Sequence, residues 1–135
     1  MFGGHTNPAR AYAQLGRESD INTASPHRLI VLLFEGAETA INVARVHAEK
    51  GDVAGRGASI SKAIDIISNG LKVSLDMRQG ELAVRLSSLY DYMVSRLLLA
   101  NMKNDVGVLR EVLSLLGEIH QAWNEIGPDR HEHKK

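Results

Sequence analysis

The chain has 135 residues, 44% of them hydrophobic and 24% charged, a composition that supports one folded domain rather than a disordered segment. Sixteen basic residues balance sixteen acidic ones, so there is no positive surplus to displace counterions, and nucleic acid is excluded as the expected partner. With no cysteine, disulfides and thiolate chemistry are excluded, and no apolar run approaches the ~20 residues needed for membrane insertion.

Residues 1–24 read as a flexible N-terminal arm, interrupted by Gly3, Gly4, Pro8 and Gly16, with one short helix from Ala9 to Leu15. Met1 to His5 lack a basic segment followed by an apolar one, so a secretory signal is not expected and the cytoplasm is the expected compartment. Ser25-Pro26 is a helix start: the serine oxygen can accept from a free backbone N–H, and proline suits a first helical position.

Helix A is predicted from Pro26 to about Lys50, with Leu29, Ile30, Leu33, Ala37, Ala40, Ile41, Ala44 and Ala48 on one face. Gly51-Asp52 ends it, and the glycines at 51, 55 and 57 read as an interhelical loop. Helix B runs from about Arg56 to Asp76, with Ile60, Ala63, Ile64, Ile67, Leu71 and Leu75 inward. After a turn at Gln79-Gly80, helix C spans Glu81 to Asn101 and buries Leu82, Leu86, Leu89, Met93, Leu97 and Ala100. Helix D follows Lys103-Asn104-Asp105 and ends at Ile126 before Gly127-Pro128, with Leu109, Val112, Leu116, Ile119, Trp123 and Ile126 in its stripe. Short loops make neighbours antiparallel. The expected fold is therefore all-α: an up-down four-helix bundle over 25–127, preceded by the arm and followed by a polar tail over 128–135.

Chemistry finds little purchase in this pattern. A carboxylate-bridged metal site in a bundle needs Glu-x-x-His on two helices, and no glutamate has a histidine three residues on. Glu35 and Glu38 read as solvated acids, His47 and His120 as packed or half-exposed. His131, Glu132 and His133 read as a solvated tail. Ser25 next to His27 lacks a third group to complete a triad. No enzyme activity, cofactor or metal is expected.

What exceeds the needs of a minimal bundle is a second set of apolar strips. Helix B carries Ile66, Gly70 and Val73 away from its main face. Helix A adds Leu32, Thr39, Val43 and Val46, and helix C adds Tyr92 and Leu99, with Val94 and Leu98 on another side. Singly, each fits a wide core face. Across three helices, an apolar groove for a partner helix accounts for them better. Arm residues Tyr12, Leu15 and Ile21 are apolar enough to cover part of that surface. Tyr12, Ile21, Ile66, Val73, Tyr92 and Leu99 are thus the candidate binding residues.

Several motifs in register also carry a likeness. Tyr12, Thr23-Ala24-Ser25-Pro26-His27-Arg28-Leu29-Ile30, Leu33-Phe34-Glu35-Gly36-Ala37, Leu89-Tyr90-Asp91-Tyr92-Met93, Ala100-Asn101 and Trp123 together resemble the flagellar secretion chaperones of the FliS family, over about residues 10–126. Phe34 stands where that family usually has tyrosine, and Glu35 where it has aspartate. The resemblance implies an antiparallel helical bundle that binds the C-terminal segment of unpolymerised flagellin in the cytoplasm, prevents premature assembly and delivers it for export. Export-apparatus components are further candidate partners. The alternative is a structural bundle that self-associates as a homodimer through the same strips.

Overall fold

The computed structural model describes residues 7–16 and 18–127. Among them every regular element is helical: α1 (Pro8–Ala13), α2 (Glu18–Thr23), α3 (Pro26–Lys50), α4 (Val53–Ile66) running on into a π turn (Ile67–Lys72), a 3-10 turn (Met77–Gln79), α5 (Glu81–Lys103) and α6 (Val106–Ile126).

Local chemistry explains where the long helices begin and end. Ser25 accepts a hydrogen bond from the Arg28 N–H, with Pro26 at the first helical position. Asp52 and Asp105 do the same for α4 and α6, accepting from Gly55 and Val108. At the other ends, Gly51 and Asn104 take left-handed backbone and close α3 and α5.

The four long helices form a ring in which α4 and α6 both flank α3, and both flank α5. Pairings set their directions. His27 meets Trp123 and Phe34 meets His120, so α3 and α6 are antiparallel. Arg56 reaching Asn101 and Lys72 reaching Asp91 make α4 and α5 antiparallel. The core inside the ring takes Leu33, Phe34 and Ile41, Ile60, Ile67 and Leu71, Met93 and Leu97, and Leu109, Val112 and Leu116, all buried. Each such side chain contributes about 1.5–3 kcal/mol by leaving water.

The structure departs from the sequence expectations in instructive places. Leu82 and Ile126 are exposed, because they sit in the first turn of α5 and at the last residue of α6, where the stripes run to the helix ends. Leu32, placed on a second strip, is buried. Gly55 and Gly57 belong to α4 rather than a loop, since the cap is Asp52. Glu38 is not a solvated acid: it is half-buried and meets His120 Nδ1 at 3.1 Å, while the His120 ring stacks on Phe34. Trp123 is half-buried. Its indole N–H donates to the His27 carbonyl at 3.1 Å, its own carbonyl accepts from His27 Nε2 at 2.9 Å, and the two rings stack at 4.8 Å. That exchange ties the end of α6 to the start of α3.

Helix B differs most. It is α-helical only to Ile66, then π-helical to Lys72. An unbroken α-helix would carry Ser74 onto the same line as Ile60 and Ile67, about four turns on. The extra residue taken up by the π turn rotates Ser74 outward, where it is exposed, and lets Leu75 pack against the core.

Candidate functional site

The arm's first helix lies along the groove between α3 and the α4–π segment. Ala11, at its centre, is fully buried. Two helical glycines make this approach possible. A Cβ on Gly70 would meet Leu33 at 2.8 Å and Ala11 at 3.2 Å, and a Cβ on Gly36 would collide with Leu15. Glycine in a helix interior costs about 0.5–1 kcal/mol relative to alanine. Here the missing side chains admit a second helix against the groove floor.

Polar contacts frame the apolar seat. Asp65 accepts from Arg10 Nε at 2.9 Å, from Gln14 Nε2 at 3.0 Å and from Asn69 Nδ2 at 3.0 Å. Asn69 in turn accepts from the Asn7 N–H at 3.3 Å. Burial raises the pKa of the Tyr12 hydroxyl, an effect that nearby Ser74 partly offsets. The Ser74 hydroxyl donates to the Gly70 carbonyl at 2.6 Å. One carboxylate, Asp65, thus gathers three donors, one from α1 and one from the residue that caps it.

The six candidate residues do not gather in one place. Ile66 lies with Leu15 and Gly36 at the α1-covered groove, and Val73 sits just past the π turn. Ile66 is 0% exposed, its tip beside Gly36 under Leu15, and Val73 is half-buried. Ile66 is therefore a core residue in this state, not a free surface. Ile21 is half-buried on α2. Tyr92 and Leu99 lie on α5 in another part of the bundle. Tyr92 is 43% exposed and Leu99 half-buried. The Tyr92 hydroxyl donates to Glu111 of α6 at 2.5 Å, Arg96 Nε reaches the same carboxylate at 2.9 Å, and the Arg96 guanidinium lies over the Tyr92 ring. The Tyr92 bond and then the Arg96 bond hold the Glu111 carboxyl below its usual range, while the hydroxyl of Tyr92 is raised by the same contact.

The motif Leu89-Tyr90-Asp91-Tyr92-Met93 serves several surfaces at once. Tyr90 and Met93 are buried in the core, and burial pushes the Tyr90 hydroxyl up to about 12. Asp91 pairs with Lys72 at 2.7 Å, bracing α5 against the π turn. Tyr92 faces outward.

Reasoning on apolar strips missed Asp65, Gly36 and the buried Arg56. The Arg56 guanidinium donates to the Asn101 carbonyl at 2.8 Å and to its side chain at 3.1 Å, satisfying the end of α5. Glycines inside two predicted helices were the available signal, because a position that weakens a helix needs a packing reason. Among the described residues, no three or more His, Cys, Asp or Glu groups gather as a metal would require, and no helix is long and apolar enough to cross a membrane. His131, Glu132 and His133 lie outside the described residues.

The family model described as "Flagellar protein FliS" matches residues 8–130. The chain belongs to the FliS family. Among its FliS relatives, the flagellar secretion chaperone of Salmonella typhimurium is 52% identical over 120 residues, covering 88% of this chain and 89% of the relative. That of Escherichia coli is 46% identical, covering 86% of each. The Bacillus subtilis protein of the same name is 35% identical, covering 88% of this chain and 85% of its own length. The FliS match takes in α1 as well as the bundle.

Proposed function

We propose that this FliS chain is a cytoplasmic export chaperone that binds the C-terminal segment of unpolymerised flagellin, prevents its premature assembly and supports its delivery to the flagellar export apparatus. The observation that carries the reading is α1 in its groove: an amphipathic helix already sits on an apolar floor opened by Gly36 and Gly70 and rimmed by Asp65. A surface built to seat one amphipathic helix suits another. The relatives' names support the flagellar-secretion role, since each is called a flagellar secretion chaperone; flagellin as the cargo is the proposal's own step. In this reading the chain acts by binding, as a chaperone, and not as an enzyme.

In this reading α1 covers the groove when flagellin is absent and moves aside when flagellin binds. Tyr12, Ile21, Ile66 and Val73 then contribute to the flagellin surface on the α3–α4 side, and Tyr92 and Leu99 on the α5 side. A flagellin tail that is disordered alone folds as it docks, and the ordering cost keeps net affinity low enough for hand-over.

Calorimetry with intact flagellin and with flagellin lacking its late segment tests the proposal. Binding is expected to vanish with the segment and to survive deletion of the variable central region. Equal binding by the tail-less protein would sink it. The alternative, self-association, draws on the exposed Leu98 and Met102 of α5. Sedimentation of the free chain separates the two: a stable dimer that flagellin tail does not dissociate favours the structural role.

A further inference from the structure

The seat of α1 holds more polar chemistry than an apolar groove requires. Two rows of side chains on the arm meet it. Ala11 and Leu15, four residues apart, rest against Gly70 and Gly36. Arg10 and Gln14, also four apart, both bond the Asp65 carboxylate, at 2.9 and 3.0 Å. Residues four apart share a helix face, so the donor row runs beside the row of alanine and leucine. Asn69 completes the frame. Its side-chain N–H donates to Asp65 at 3.0 Å, which turns its carbonyl oxygen to accept from the Asn7 N–H at 3.3 Å. Asn7 caps α1, so Asn69 receives the starting end of the docked helix.

These groups make demands on whatever replaces α1. The Asp65 side chain is only 15% exposed with α1 in place. A helix that covers it without a donor strands a carboxylate away from water, and bonds to a charged group are among the costliest to lose. A site built around such a bond rejects an occupant that lacks the matching group. The glycines add a steric demand. Ala11 is fully buried over Gly70, where even a Cβ on the glycine would meet it at 3.2 Å, so the facing position of an occupant must be small. Asn69 at one end and Gly36 at the other fix the direction in which it lies.

We infer that Asp65 selects the segment that takes the place of α1: the docking helix of flagellin carries a small residue, a leucine-sized apolar residue four positions on, and an Arg, Lys or Gln immediately before one of the two, and it enters with its N-terminal end at Asn69. This deepens, and rests on, the reading that flagellin displaces α1 from the groove. Arm and cargo are then read by one carboxylate, and a purely apolar helix is refused.

Calorimetry with the C-terminal flagellin segment and the full chain tests the selection in two steps. Ala11→Asp sets a charge against Gly70 and Leu33 and unseats the arm, as hydrogen exchange at the Ala11 amide checks, while the groove itself is unchanged. The segment is expected to bind this variant at least about threefold more tightly, because the arm no longer competes. Adding Asp65→Ala is expected to weaken binding about tenfold or more, through loss of a bond to a charged group. Replacing the Arg, Lys and Gln residues of the segment one at a time by Ala then identifies one whose effect disappears when Asp65 is gone. If affinity holds or rises on Asp65→Ala, Asp65 serves the arm alone, and the inference falls while the groove stays the flagellin dock. If affinity is unchanged with the arm free, the segment docks elsewhere, and groove and inference fall together. Should Ala11→Asp fail to fold, the pair Arg10→Ala and Gln14→Ala takes its place: it frees Asp65 from the arm without touching the apolar row, so any effect of Asp65→Ala then belongs to the cargo.

Discussion

Two apolar faces of this bundle carry the same kind of sequence signature and meet different fates. Between α3 and α4 the second strip is covered: Ile66 and Gly70 are buried beneath α1. On α5 the outer residues Val84, Leu98 and Met102 remain exposed, Met102 by 76%. Hydrophobicity does not separate them, since α5 offers the larger side chains. Backbone access does. The covered groove has Gly36 and Gly70 in its floor, whereas α5 contains no glycine between Glu81 and Lys103. A close helix–helix approach needs small residues as well as apolar ones, and only one face provides both.

The sharpest way to break the comparison is a charge on each face, beginning with the covered one. Ile66→Asp is expected to destabilise by about 3–5 kcal/mol, from lost apolar packing and a buried, unpaired carboxylate. Urea titration followed by circular dichroism measures it. A variant that melts like the parent would show that Ile66 is accessible after all and that α1 does not cover it.

Tyr90 sharpens the boundary between core and surface within one motif. Because burial lifts its folded pKa to about 12, the neutral phenol is favoured in the fold. The associated stability is complete below pH ~10, where the unfolded phenol is also neutral, and is lost as pH rises toward 12. The loss amounts to about 3 kcal/mol at most. Denaturation between pH 9 and 12 should show this decline in the parent, and a shallower one in Tyr90→Phe. Identical slopes would place the hydroxyl in water.

Most of the bundle was legible in the sequence because its signals are local. Ser25-Pro26 and Gly51 bound α3, and the apolar spacing of α6 is regular enough to fix the inward face through Leu109, Val112 and Leu116. The groove was legible only in part. Ile66 and Val73 stood out as a strip, but the π turn takes Val73 off the line of Ile66, and the contact of Leu15 with Gly36 beside Ile66 joins residues distant in sequence. The π turn was hidden because its cause is a phase conflict between Ser74 and Leu75, which a count of apolar positions passes over. Asp65 was hidden too, because a lone aspartate on a helix reads as a solvated charge until three donors converge on it.

Asp65 offers a gentler test of the covered face. Asp65→Ala removes the acceptor shared by Arg10, Gln14 and Asn69, while the apolar seat of Ala11 stays. Arg10 and Gln14 regain water when α1 lifts, so the global cost should be only about 1 kcal/mol. The arm bears most of the loss. Hydrogen exchange should rise at Ala11 and Gln14 and stay unchanged at Ile60 and Met93 in the core. Equal loosening of arm and core would mean that α1 is an integral part of the bundle rather than a separable cover.

The smallest expected effect belongs to the open face, and it completes the contrast. Leu98 is exposed on α5, so Leu98→Asp loses little burial and leaves no charge out of water. What remains is the poorer helix propensity of aspartate, about 0.5 kcal/mol. Melting of the free chain should therefore barely move, against the large loss at Ile66. Two outcomes separate the uses of that face. If α5 contributes to the flagellin surface, the same substitution lowers calorimetric affinity for the flagellin tail while the fold is intact, because a docked partner would bury the new carboxylate without a counter-charge. If the face serves self-association, flagellin affinity holds and any dimer seen by sedimentation disappears. Should Leu98→Asp unfold the chain as Ile66→Asp is expected to, the distinction between a covered and an open face would fail, and with it the argument that Gly36 and Gly70 are what divide them.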